Sequence, residues 1–186
     1  MIITITGKPC SGKGTAGKLF CEKYNFEYIS TGNMNRALAK EFGFKNVIDL
    51  QKSDKINEVD RIIDSQLVEM GKTRSGENLL FDSRLAWHFI PRSFKVYIDI
   101  DWTIAGERLL NSNRELENNF SSIEEATKAL QDRFDTENER YQRKYGVNNL
   151  NLNNYDFVIS SNNKTPEEIA DEIYKNYQIF IKKAQN

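Results

Sequence analysis

Several common roles are excluded by what this chain lacks. It holds two cysteines among 186 residues, Cys10 and Cys21, too few for a disulfide framework, so a reducing, cytoplasmic setting is expected. Its single histidine, His88, is read as structural. No apolar run approaches the length of a membrane span, and the short apolar start has neither a basic leader nor a cleavage site, so no signal peptide is expected. Charge of one sign is missing as well. A net charge of −1 gives no bulk electrostatic case for a nucleic-acid or membrane-surface partner. No internal repeat is visible. With 39% hydrophobic and 28% charged residues, the chain reads as one globular domain of ordinary size, expected to be a monomer.

What is present concentrates near the start. Gly7-Lys8-Pro9-Cys10-Ser11-Gly12-Lys13-Gly14-Thr15 follows the β-branched run Met1 to Thr6 and precedes Ala16, Leu19, Phe20 and Tyr24, spaced as one helix face. Strand, glycine-rich turn, helix is the setting that makes G-x-x-x-x-G-K a phosphate-binding loop rather than a turn with spare glycines. Glycines let successive N–H groups face an anion, the helix N-terminus adds positive partial charge, and Lys13 adds a full one. The pattern implies a nucleoside triphosphate. Gly14 stands where a Ser or Thr commonly binds Mg²⁺, and the hydroxyl comes one place later, at Thr15. A G-K-G-T ending is typical of small kinases that act on nucleotides, where phosphates and water hold most of the metal.

Along the rest of the chain, strands alternate with helices. Phe26 to Ile29, Leu79 to Asp82, Phe94 to Ile100 and Tyr155 to Ser160 read as further strands. Helices are expected through Met34, Leu38 and Phe42 after a cap at Ser30 or Thr31, from Val47 to Met70 with a break near Lys52 and Ser53, and from Trp102 to Leu110. Another starts at the capping signal Ser121-Ser122-Ile123-Glu124-Glu125 and runs to about Tyr145, and Pro166 opens the last. Gly71 to Glu77 reads as a loop, Asn111 to Asn119 as a polar break, and Asn148 to Asn154 as irregular. The alternation predicts an α/β fold built of parallel β-α-β units, with a sheet covered on both faces.

Three constellations carry chemistry. Asp82 ends the third strand and Arg84 follows it, and ligands of an open parallel sheet lie beyond the carboxyl ends of its strands. There Asp82 can order the water shell of Mg²⁺ while Arg84 grips a second phosphate; the plainer roles are a helix cap and a surface charge. Thr31 and Arg36, a hydroxyl at a helix start and a guanidinium on its next turn, suit a monophosphate. Arg133 and Arg140 are seven residues apart, hence on one helix face and about 10 Å apart along it, with Arg143 beside Arg140. Asp132, Asp135, Glu137 and Glu139 could make this a solvated, salt-bridged face. Phosphoryl transfer favours the other reading, because it proceeds by positioning and charge compensation under a cover that excludes water.

Together these motifs resemble the cytidylate kinases of the short archaeal type, among the P-loop nucleoside monophosphate kinases. The likeness runs nearly end to end, through Gly7 to Thr15, Ser30 to Arg36, Val59-Asp60-Arg61 to Gln66, Asp82 to Trp87, Arg140-Tyr141, Tyr145-Gly146 and Tyr155 to Ile159. The resemblance implies a three-layer fold on five parallel strands in a single domain, 1–186. It divides this into a core (1–29, 72–113 and 147–186), a monophosphate-binding arm (about 30–71) and a lid (about 114–146). ATP as donor, Mg²⁺ as metal and CMP or dCMP as acceptor are implied with it. So are site roles: Gly7, Lys8, Pro9, Cys10, Ser11, Gly12, Lys13, Gly14 and Thr15 for the donor phosphates and Arg108 for the adenine. Thr31, Arg36 and Arg84 would hold the acceptor, Asp82 would touch the metal through water, and Lys13, Arg133 and Arg140 would be catalytic.

Asp60, Arg61 and Asp64, within i+3 and i+4 of one another, could read the cytosine edge or simply form an intrahelical ion pair. Three positions depart from the family. Cys10 replaces a common glycine or alanine, Leu85 stands where bacterial relatives have an aspartate, and Ser112 stands where arginine is common, with Arg114 as the candidate substitute. Cys10, beside a helix N-terminus and Lys13, is expected to react with electrophiles near the donor phosphates. Two rival readings stay open: another P-loop kinase of small acceptors, such as an adenylate kinase, and an ATP-binding sensor without transfer.

Overall fold

The computed structural model describes residues 1–111 and 120–184. Strands β1 (Ile2–Gly7), β2 (Glu27–Ser30), β3 (Leu79–Asp82), β4 (Phe94–Asp99) and β5 (Phe157–Ser160) are all parallel and lie side by side in the order β2-β3-β1-β4-β5. They are connected and covered by α1 (Lys13–Tyr24), α2 (Thr31–Glu41), α3 (Val47–Gln51), α4 (Ile56–Thr73), α5 (Ala86–Phe89), α6 (Trp102–Leu110), α7 (Ile123–Tyr145) and α8 (Pro166–Ala184).

All six residues of β1 are buried, as a central strand covered on both faces requires. Its side chains serve two cores. Ile3 and Ile5 cluster with Ala16 and Phe20 of α1 and with Ile169 and Ile173 of α8. Ile2, with Leu79 and Phe81 of β3, clusters instead with Ala39 of α2 and with Val59, Ile63 and Leu67 of α4. Each fully buried side chain of this size contributes about 2 kcal/mol. The result is the three-layer α/β fold that the alternation of elements predicts. Among the described residues, no helix is long and apolar enough to cross a membrane.

Helix ends follow the expected chemistry. Ser30 caps α2 by accepting from the Asn33 N–H at 3.3 Å. Ser122 caps α7 by accepting from the Glu125 N–H at 3.2 Å, while Glu125 Oε2 accepts from the Ser121 N–H at 2.8 Å. Between α3 and α4, the Ser53 hydroxyl donates to the Leu50 carbonyl at 2.7 Å and accepts from the Lys55 N–H at 3.2 Å, which breaks the helix where expected.

Other segments differ from the sequence reading. Gly71 does not open a loop, because α4 runs through it to Thr73. A Cβ at this position would lie 3.0 Å from Ile90 Cγ1, so glycine lets the helix pass close to Ile90. The one-turn helix α5 has no counterpart in the sequence reading, since four residues are too few to show a period. His88 lies exposed on it, beside the rings of Trp87 and Tyr145. The asparagine-rich stretch is ordered by its own side chains: Asn148 and Asn151 accept from the N–H groups of Leu150 and Asn153, and buried Asn149 accepts from the Trp87 indole at 2.9 Å. Ser112 and Arg114 lie outside the described residues.

The register positions the site. Ile5 stands opposite Asp82 of β3, and Gly7 stands opposite Ile98 of β4, so the segment after β1 leaves the sheet between the ends of its two neighbours. Gly7 has φ +141°, and a Cβ there would meet the Ile98 carbonyl oxygen at 2.0 Å. Gly43 also has positive φ, +80°, but nothing lies within 4 Å of its Cβ position. Urea denaturation should therefore separate the two. Gly7→Ala is expected to lose more than about 3 kcal/mol or fail to fold, against about 1 kcal/mol for Gly43→Ala. Equal losses would mean that β1 and β4 can part freely at this point.

Candidate active site

Between β1 and α1 the backbone turns repeatedly through the left-handed region, with φ +58° at Cys10 and +82° at Gly12 in addition to Gly7. No side chain caps α1 at Gly12, which leaves its first N–H groups to an anion. Lys13 Nζ curls back to the Lys8 carbonyl at 3.2 Å. Burial, and then nearby Arg84, lower its pKa to about 8, against the opposing pull of Asp82 and Glu137. Ser11 is wholly buried, and its hydroxyl has no partner among the described residues.

The remaining loop residues divide between lining and bracing. Pro9 is buried and Thr15 is exposed. The side chain of Lys8 turns to the end of β4, where Nζ meets Asp99 Oδ1 at 2.8 Å and the Ile100 carbonyl at 3.0 Å, above the Trp102 ring. It therefore braces the loop and contributes no charge to the cradle. Cys10, half-buried, packs against the apolar cluster of Ile100, Ala105, Leu109, Ala126 and Leu130, and its thiol is close enough to Lys13 to pull that lysine's pKa upward. Burial pushes the Cys21 thiol up to about 12. Arg108 reaches the loop from α6: Nη2 donates to the Ser161 carbonyl at 2.8 Å and Nη1 to the Cys10 carbonyl at 3.2 Å.

Asp82, at the end of β3, accepts from the Tyr28 hydroxyl at 2.7 Å. Both oxygens of that pair lie 3.5 Å from where a Cβ on Gly14 would stand. The phenol of Tyr28 thus brings a hydroxyl within 3.5 Å of the point where a Ser or Thr side chain of a common phosphate loop would begin. Nothing local in the sequence marks it, because the contact joins residues far apart in the chain. Thr31 is buried and donates to the Asp82 carbonyl at 3.4 Å, whereas Arg36 is exposed and donates to Asn33. Arg84 is drawn inward: Nη1 donates to the Gly7 carbonyl, and Nε lies 3.2 Å from Glu137 Oε2.

Facing these groups, α7 is tied to α4. Arg140 Nη1 meets Asp60 Oδ2 at 2.6 Å, Lys144 Nζ meets the same oxygen at 2.7 Å, and the Tyr145 hydroxyl donates to Asp64 Oδ2 at 2.7 Å. Arg133 pairs with Glu137 at 3.2 Å. Arg61 and Arg143 are exposed, and Arg61 pairs with neither aspartate. Asp60, Arg61 and Asp64 therefore do not form one cluster: the two aspartates face α7, and the arginine between them points to another side of the helix. The partner of Arg140 comes from α4 and not, as a solvated face would have it, from α7 itself. A cavity of about 310 Å³ lies between these elements, lined by Gln51, Ile56, Asp132, Arg133, Thr136, Glu137 and Arg140.

A model of the cytidylate kinase-like family matches residues 2–163. The chain belongs to that family. It is 36% identical over 177 residues to an S-adenosylmethionine-dependent nucleotide dehydratase from Lacinutrix mariniflava, a match that covers 95% of this chain but 36% of that longer protein. A cytidylate kinase from Methanobrevibacter smithii is 27% identical over 97% of this chain and 100% of its own length. In fold, the chain is similar to a shikimate kinase from Bacteroides thetaiotaomicron, with a TM-score of 0.64 at 16% identity, covering 97% of this chain and 98% of that one.

Membership in the cytidylate kinase-like family implies ATP and Mg²⁺. Among the described residues no group of three or more His, Cys, Asp or Glu could hold a metal. Asp82 is the carboxylate nearest the Gly14 end of the loop, which fits a cation held mainly by phosphate oxygens and water.

Lys13 offers a test of the cradle. A polyphosphate beside it favours the ammonium form, so its pKa rises from about 8 on binding. Calorimetry of ATP–Mg²⁺ binding at pH 8, in two buffers of different ionisation enthalpy, should reveal uptake of about half a proton. Lys13→Met should abolish the buffer dependence. No uptake in the natural protein would mean that Lys13 is fully charged before the nucleotide arrives.

Proposed function

We propose that this protein transfers the γ-phosphoryl group of ATP to CMP or dCMP, giving ADP and the acceptor diphosphate. One observation carries the reading: a second cationic site adjoins the phosphate loop. Arg84 bridges Gly7 of the loop and Glu137 of α7, and the adjacent cavity is lined by Arg133 and Arg140. A protein that only senses ATP has no use for such a site.

In this reading the loop N–H groups and Lys13 hold the donor phosphates, and Arg108, anchored to the Cys10 and Ser161 carbonyls, packs on the adenine. Thr31, Arg36 and Arg84 hold the acceptor phosphate. Residues 30–71 act as the arm and 114–146 as the lid. An oxygen of the acceptor phosphate attacks the γ-phosphorus as the bond to the bridging oxygen of ADP breaks. That oxygen is already an anion, so no side chain has to take a proton. Lys13, Arg133 and Arg140 compensate the charge that spreads over the transferring group. Mg²⁺ adds to that compensation when bound, with Asp82 ordering its water. To read cytosine, Asp60 and Asp64 have to exchange their present partners, Arg140, Lys144 and Tyr145, for the base.

The relatives support this reading. The cytidylate kinase from Methanobrevibacter smithii matches over its whole length. The dehydratase also supports a nucleotide as substrate, and this chain matches 36% of that longer protein. The working form is taken to be a cytoplasmic monomer that needs neither nucleic acid nor membrane.

A panel of nucleoside monophosphates with ATP–Mg²⁺ tests the assignment. CMP and dCMP should exceed AMP, GMP and UMP by roughly a hundredfold or more in kcat/KM, since wrong bases leave buried polar groups unpaired. AMP as the best acceptor would make the protein an adenylate kinase, and ATP binding without transfer to any acceptor would make it a sensor. Lys13→Ala should abolish turnover with little change in melting temperature. Steady-state kinetics of Arg140→Ala should show kcat lower by roughly a hundredfold, with Arg140→Lys recovering little, because an ammonium lacks the planar fork.

A further inference from the structure

We infer that Glu137 is an internal stand-in for the acceptor's phosphate: it holds Arg84 and Arg133 between turnovers and yields them when a phosphate enters. The inference rests on the assignment of that site to an acceptor phosphate. Glu137 stands between Arg133 and Arg140 on one face of α7, a turn from each. Its side chain is 14% exposed, with Oε1 3.2 Å from Arg133 Nε and Oε2 3.2 Å from Arg84 Nε. Arg84 also donates to the Gly7 carbonyl, so a single carboxylate ties α7 to the phosphate loop.

The quality of these contacts points to exchange. Each is single, and each is longer than the roughly 2.8 Å of a good charge-assisted pair. Oε2 has no aligned hydrogen-bond donor. The carboxylate neutralises two guanidinium groups without matching either. A phosphate matches better, having three oxygens, up to two charges and the geometry for a bidentate fork. Both anions cannot keep the same enclosed cations, because like charges so close disfavour each other. Burial already works against the Glu137 charge, and Arg84 and Arg133, with help from Arg140, hold its pKa below the ordinary glutamate range. Once a phosphate engages those guanidinium groups, that support is lost and the carboxylate gives way, so that the phosphate in place of Glu137 links α7 to the loop.

The test is a calorimetric titration of inorganic phosphate into protein saturated with a non-hydrolysable ATP analogue and Mg²⁺, which fill the loop. Removing a competing internal anion raises the fraction of molecules ready to bind, so Glu137→Gln should bind phosphate roughly fivefold or more tightly than the natural protein. If Glu137→Gln fails to fold because Arg84 has lost its counter-charge, Glu137→Asp takes its place. It keeps the charge but reaches less far, and should gain roughly twofold. Phosphate binding that is unchanged, weaker or undetectable in a folded variant overturns the inference and makes Glu137 a fixed support for the arginines. Inorganic phosphate carries no base, so a wrong choice of acceptor nucleotide would leave this result intact. Conversely, good turnover of CMP by the natural protein would not rescue a negative titration.

Discussion

The close approach of Gly7 to β4 is the constraint on which the rest of the site depends. With no room for a Cβ against the Ile98 carbonyl, the chain can enter the loop only through glycine at that position. From there the attachments follow in series. Lys8 is pulled aside to Asp99 and Ile100, which turns the next residues inward. The Gly7 carbonyl receives Arg84 from the end of β3, and Arg84 in turn faces Glu137 on α7. A single backbone contact inside the sheet thus sets the start of the loop, the place of one guanidinium and the distance to the helix above it.

The cleft is populated by charges that neutralise one another. Arg84 and Arg133 share Glu137, while Arg140 and Lys144 share Asp60. Half-buried groups of this kind interact more strongly than surface pairs, because water screens them less. Breaking one partner away leaves the other uncompensated, so exchange for a ligand of the same sign is favoured over simple opening. The neutral tyrosines belong to the same arrangement. Tyr28 and Tyr145 each donate to a carboxylate, Asp82 and Asp64, which steadies these anions without adding a cation that would compete for phosphate.

Legibility from the sequence followed locality. The phosphate loop was readable because its parts are contiguous, and each strand and long helix showed its period within its own segment. Asp82 and Arg84 could be placed near the loop because parallel topology gathers strand ends at one edge. What escaped depends on contacts between distant segments. Gly71 reads as a loop boundary until Ile90 is seen beside it. Glu137 reads as one of six acids on a charged helix, and only the fold distinguishes it by burying it against Arg84. Asp60 and Arg61 look equivalent in sequence, yet the turn of α4 sends one toward α7 and the other to solvent. The apolar neighbours of Cys10, which come from α6 and α7, are likewise not marked in the sequence.

The uninterrupted passage of α4 through Gly71 has a mechanical consequence. At its C-terminal end the helix is wedged against Ile90, and that contact can serve as a fulcrum. Asp60 stands on the same rigid rod, about 16 Å away along its axis. A tilt of about 10° at the fulcrum would sweep Asp60 through about 3 Å. Such a sweep is as long as its contacts of 2.6 and 2.7 Å to Arg140 and Lys144. The rod thus has the proportions of a lever: Val59, fully buried beside Asp60, would move with it, so uncoupling α4 from α7 in this way repacks the core beneath the far end of the helix.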